Sequence, residues 1–281
     1  MLRVELRKAR LRVRTYVMLG ILIAISTVIV IGIHGSRQGP NRPADPVEFQ
    51  AGVLRNGSAL PFACLIFTST FLLPLLISVY SGEALAGEAS AGTLRYVLVR
   101  PVRRERLYGA KLGSIAVFAL TACALVAAVG AGLGYAVFGS AAWKPVAVRG
   151  FQGGSRFAPG LEPLGGGAYA FRLAVAVAFV ALMMVSLGAI GLFLGSVVES
   201  PTGAAGAVVG LVIVMGILGS LSPLRGIHPV LVTHWFTAWS GLLSAPVEWG
   251  PIGKGVLCAA IYVALASAAG LAIFRRRDVV S

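Results

Sequence analysis

The chain has 281 residues, 57% of them hydrophobic and only 12% charged, with a mean hydropathy of +0.87. A soluble domain carries about twice that charged fraction, so composition excludes one. The net charge of +14 does not argue for nucleic acid, because the basic residues stand in short blocks beside apolar runs. That arrangement suits anionic lipid headgroups and the positive-inside rule.

In chain order, Arg3, Arg7, Arg10 and Arg14 fall on one stripe at helical spacing, beside an apolar stripe of Leu2, Leu6, Ala9 and Val13. The pattern predicts an N-terminal basic amphipathic helix lying along the headgroups. A first crossing follows over about Tyr16–Ile33. It is long for a signal-peptide core and ends in Ile-His-Gly-Ser-Arg without a small-x-small cleavage site, so it is read as a retained helix. The second covers about Leu60–Tyr80, with Pro61 near its start and Pro74 placed to kink it. The third covers about Leu112–Phe138, and the fourth, after a Gly-rich loop, about Leu173–Val197. A short turn, Glu199–Thr202, leads into the fifth, about Gly203–Leu221, and the last covers about Val256–Phe274.

Each crossing sits in a charge-free stretch long enough for the roughly 20 residues that span a bilayer as a helix, and none has the period-2 pattern of a barrel strand. The stretch between Arg225 and Glu248 is also charge-free. On an α-helical wheel, however, Leu231, Trp235, Trp239 and Leu242 share one face, while Thr233, Thr237, Ser240 and Ser244 share the other. That pattern predicts an extracytoplasmic interfacial helix with Trp235 and Trp239 anchored toward lipid. The expected fold is therefore an all-α integral membrane protein, one domain over 1–281 with six crossings.

An even number of crossings puts both ends of the chain on one face. Arg95, Arg100, Arg103, Arg104, Arg106 and Lys111 cluster there with the N-terminal block and Arg275–Arg277, so the positive-inside rule predicts that face to be cytoplasmic. Small residues recur at helix-packing spacing in Gly130 and Gly134, Gly191 and Gly195, and Gly206 and Gly210. Packing within the subunit is favoured over packing across a dimer.

Catalytic chemistry finds little support. Cys64, Cys123 and Cys258 fall in three different apolar runs and read as packing residues, not as a disulfide framework or a metal site. Among ionisable residues only histidines approach the spans, which argues against an ion-coupled carrier. His34, His228 and His234 sit at membrane edges, where interfacial packing is their default role. The fragment Gly109-Ala110-Lys111 lacks the spaced glycine and the Ser or Thr of a phosphate-binding loop. If ATP drives this protein, another chain binds it.

The segment from Ser81 to Arg104 is different. A solvated loop would be polar and turn-rich, yet Leu94–Val99 is apolar and lies between Arg95 and Arg100. With no lipid in which to bury Leu94, Val97 and Leu98, a docking surface is the economical reading, closed by Pro101.

Glu88, Gly92, Thr93, Leu94, Arg95, Arg100, Pro101, Arg104 and Lys111 together form a pattern between the second and third crossings. It resembles the type-2, exporter-type permeases of ATP-binding-cassette transporters, as do the Glu199–Thr202 turn, Thr233-His234-Trp235 and the closing Phe274-Arg275-Arg276-Arg277-Asp278. The resemblance covers essentially the whole chain. It implies an ATP-driven exporter of a bacterial plasma membrane in which two six-helix subunits pair, a homodimer being slightly favoured, above two cytosolic ATPase subunits that hold ATP and Mg. It places a cytoplasmic coupling helix between spans 2 and 3, within Glu83–Arg100, with Leu98 in its apolar part and Glu199 in a second contact. Two alternatives stand beside export: a complex for metal-site maturation or toxic-peptide immunity, and a membrane scaffold or enzyme subunit without transport.

Overall fold

A computed structural model describes residues 1–35, 57–90, 104–139, 146–149, 161–198 and 200–276. Helix α1 (Leu2–Leu11) is followed after one extended residue by α2 (Val13–Gly35). The second crossing is built from α3 (Leu60–Phe67), a π turn (Thr68–Leu72) and α4 (Leu73–Ser90). The third is α5 (Arg104–Phe138), the fourth α6 (Gly166–Val197), the fifth α7 (Pro201–Ser220) and the last α8 (Trp249–Arg276). Six helices are long and apolar enough to cross a membrane, as expected from the charge-free runs.

The helices outrun the apolar runs, especially at the end that carries α1. There α4 continues past Glu83 and Glu88, and α5 starts at Arg104. Charge marks where the bilayer stops, whereas a helix continues for as long as its backbone bonds are satisfied. Pro74 acts through the π turn just before it. Its ring has no N–H and clashes with the carbonyl four residues back, and the widened turn takes up that conflict. Ser200 accepts a bond from the Gly203 N–H at 3.2 Å, and Pro201 opens α7 in the position where its missing N–H costs nothing.

Helix α6 is the hub, packing against α4, α5 and α8. In its most apolar window 67% is buried, against 22% for α2, 22% for α7 and 17% for α8. Small residues permit the close crossings. A Cβ at Gly130 would stand 2.8 Å from Pro61 Cα, and one at Gly134 would stand 2.7 Å from the Gly57 carbonyl. A Cβ at Gly195 would stand 3.2 Å from the Gly82 carbonyl, and Gly191 packs onto Ser81. These two pairs thus serve packing within the subunit. Gly206 and Gly210 are exposed on α7, with no atom of the described residues within 4 Å of a Cβ placed there.

At the opposite end from α1, three short strands form a small sheet ordered β2-β1-β3: β1 (Val146–Arg149), β2 (Leu161–Pro163) and β3 (Ser244–Ala245). Strand β1 pairs antiparallel with β2 and parallel with β3, tying the connection between α5 and α6 to the one between α7 and α8.

The interfacial helix expected over Leu231–Ser244 is corrected here. The chain instead makes 3-10 turns at Ser222–Leu224, His228–Val230, Val232–Trp235 and Ala238–Leu243. Pro223 and Pro229 sit at the starts of two of these turns, and the extended Leu231 separates His228–Val230 from Val232–Trp235, so no continuous α ladder forms. Trp239 does not face lipid: it is fully buried, stacked on Phe62 with ring centroids 5.9 Å apart. Trp235 is half-buried and donates its indole N–H to the Pro229 carbonyl at 3.0 Å.

Candidate functional site

The end that carries α1 holds nearly all the ion pairs among the described residues. Lys111, on the first turns of α5, is 1% exposed and Glu88, near the end of α4, is 6% exposed. Lys111 Nζ lies 2.7 Å from Glu88 Oε2 and donates to the Ala84 carbonyl at 2.6 Å. A buried charge survives only when paired and hydrogen-bonded, and these groups meet that condition together.

Helix α1 completes the network. Glu5 and Lys8 are one helical turn apart on its inner face, 3.6 Å between their charged groups. Lys8 Nζ reaches Glu88 Oε1 at 3.3 Å, and Glu5 Oε2 lies 3.9 Å from Lys111. Arg14, at the start of α2, pairs with Glu83. Leu2 packs over Gly113 of α5, where a Cβ would come within 2.9 Å of it. Arg3, Arg7 and Arg10 stay exposed on the outer face. A cavity of about 40 Å³ lies among Lys8, Arg12, Tyr80, Glu88 and Lys111, polar enough and large enough to hold water.

A second set of contacts lies at the start of α5. Arg104 donates from Nη1 to the carbonyls of Phe274 at 2.9 Å and Arg275 at 2.8 Å, and its guanidinium sits 6.0 Å from the Phe274 ring. These carbonyls belong to the last turn of α8, where no intrahelical donor remains and the helix dipole favours a cation. Arg275 pairs in turn with Glu105.

Of the residues expected to couple to an ATPase, Glu83, Glu88 and Arg104 are described, and each has partners within the chain. Gly92, Thr93, Leu94, Arg95, Leu98, Arg100, Pro101 and Glu199 lie outside the described residues. Sequence reasoning put Arg14 on the basic stripe of the N-terminal helix and Lys111 in the pattern that carries the resemblance, but it paired neither and gave Glu5 and Lys8 no role. The only signal for them was local, namely opposite charges one turn apart on α1 and a lone lysine at the edge of an apolar span.

At the other end the contacts are neutral or reach backbone carbonyls. Arg172 donates to the carbonyls of Leu242 at 2.7 Å and Ser244 at 3.1 Å. Tyr169 donates to the Ser58 carbonyl at 2.7 Å, and Tyr262 to that of Val230 at 3.0 Å. The His228 and His234 rings lie 5.7 Å apart. Desolvation, and then the charge of His228, holds the His234 imidazole below its ordinary range. Among the described residues no group of three or more His, Cys, Asp or Glu side chains is placed to hold a metal ion.

Comparison with known proteins adds one match: a family model described as ABC-2 family transporter protein matches residues 2–279. No curated protein matches the chain.

Proposed function

Because the chain belongs to the ABC-2 family of transporter proteins and is the membrane permease component of an ABC transporter, we propose that it forms the pathway of an ATP-driven exporter. In this reading ATP and Mg are held and turned over by a separate ATPase subunit. Two permease subunits pair in a bacterial plasma membrane, and the α1 face is cytoplasmic. The exposed Gly206 and Gly210 leave α7 open to close approach by a second permease subunit.

The observation that carries the reading is the pair of charged anchorages on either side of residues 91–103. Before that segment, Glu83 and Glu88 are tied to α2 and α1; after it, Arg104 and Glu105 are tied to α8. A push on the segment is therefore delivered at once to the first and last crossings. That is what converting ATPase closure into movement of the spans requires.

The experiment substitutes Leu98→Asp in the complex purified with its ATPase subunit. An unpaired charge in an apolar contact costs several kcal/mol or more, so the ATPase should be lost from the membrane fraction while the thermal transition of the permease is unchanged. Full assembly with Leu98→Asp would return this segment to an ordinary solvated loop.

A further inference from the structure

We propose that His228 and His234 form an open two-histidine site for a borderline divalent transition cation, Zn2+ or Cu2+, on the membrane face opposite α1.

The two residues are six apart. On an α-helix that spacing puts side chains on different faces, but here the extended Leu231 joins two separate short turns and no such helix forms. Both lie in 3-10 turns, His228–Val230 and Val232–Trp235, and their rings stand 5.7 Å apart at an interplanar angle of 39°. Imidazole nitrogens bind Zn2+ at about 2.0–2.1 Å, and a tetrahedral angle at the metal then puts two ligand-ring centres roughly 5–6 Å apart. The observed separation falls in that range.

The surroundings favour a ligand. His228 Nε2 lies 3.3 Å from the Leu221 carbonyl, which can only accept. The proton is thereby held on Nε2, and the Nδ1 lone pair is left for a metal. A carbonyl behind a ligating ring is the usual orienting partner. His234 is exposed and packs edge-on against Trp235, with ring centroids 4.9 Å apart. The turns carrying both rings are held by carbonyl contacts: Trp235 to Pro229, and Tyr262 and Cys258 to Val230.

No third His, Cys, Asp or Glu joins the pair among the described residues. Water would fill the remaining positions, as in a site that exchanges its ion, unlike a closed structural centre. Imidazole ligation without carboxylate selects Zn2+ or Cu2+ over Mg2+ or Ca2+.

The test uses full-length protein free of any polyhistidine tag, with Zn2+ followed by calorimetry and Cu2+ by electron paramagnetic resonance. One equivalent should bind, with the Cu2+ spectrum showing coupling to two imidazole nitrogens. His228→Ala and His234→Ala should each weaken binding by more than about tenfold, the scale on which even orienting partners matter. His34→Ala should bind like the parent, and all variants should keep the parent's thermal transition without metal. Unchanged binding in the double variant, or coupling to a single nitrogen, would overturn the site. Either result leaves the ATPase-coupling reading untouched, since that depends on the other end of the molecule.

Discussion

The two ends of the bundle are held together by different chemistry. At the α1 end, full charges do the work: Lys111 and Glu88 are almost wholly buried and share partners with Glu5 and Lys8. At the far end a small sheet, aromatic contacts and bonds to backbone carbonyls join the connections. A network of buried charges fails abruptly, because removing one member strands the others. Neutral contacts spread over many carbonyls fail by small steps. The end expected to receive a push is the one wired to respond as a unit.

The broadest way to break this comparison is to ask whether the two ends face opposite sides of the membrane. In a variant lacking Cys64, Cys123 and Cys258, a cysteine replacing the exposed Ile227 should react with an impermeant reagent in intact cells. One replacing the exposed Leu11 should react only after permeabilisation. Equal labelling of both from outside would invalidate the topology.

Next in size is Lys111→Met, which leaves the Glu88 carboxylate buried with Lys8 as its remaining cation and should cost about 3–5 kcal/mol. The double variant Lys111→Met with Glu88→Gln should recover most of that loss. Chemical denaturation in micelles measures both, and a double variant no better than the single one would show that the pair is not the unit. At the neutral end, Arg172→Met removes two charge-assisted bonds to carbonyls, an expected loss of about 1.5–3 kcal/mol. Tyr262→Phe should cost only about 0.5–1.5 kcal/mol by the same measurement. Smallest is Glu105→Ala. Its pairing with Arg275 is half in solvent, 54% exposed on each side, so stability should change by less than about 1 kcal/mol and the change should fade with added salt.

Much of the architecture was legible because a bilayer penalises charge. The charge-free runs located all six crossings, and Pro61 marked a helix start. Helix ends were less legible, since Glu83, Glu88 and Arg104 signal water without ending a helix. The Lys111–Glu88 pair was hidden because its members lie on different helices. The resemblance pointed Glu88 toward an ATPase, while its intramolecular partners Lys8 and Lys111 needed the tertiary structure to appear. The Arg225–Glu248 stretch misled because an α-helical wheel was laid over residues that adopt 3-10 turns. That wheel put Trp239 toward lipid.

Arg104 waits for carbonyls 170 and 171 residues further along the chain. Synthesis proceeds from the N-terminus at about 5–20 residues per second, so α1, α4 and α5 can assemble their ion pairs many seconds before α8 leaves the ribosome. One flank of residues 91–103 is thus fastened early and the other only when the last crossing arrives. A nascent subunit therefore has only the first of these two flanks fastened until the last crossing is made.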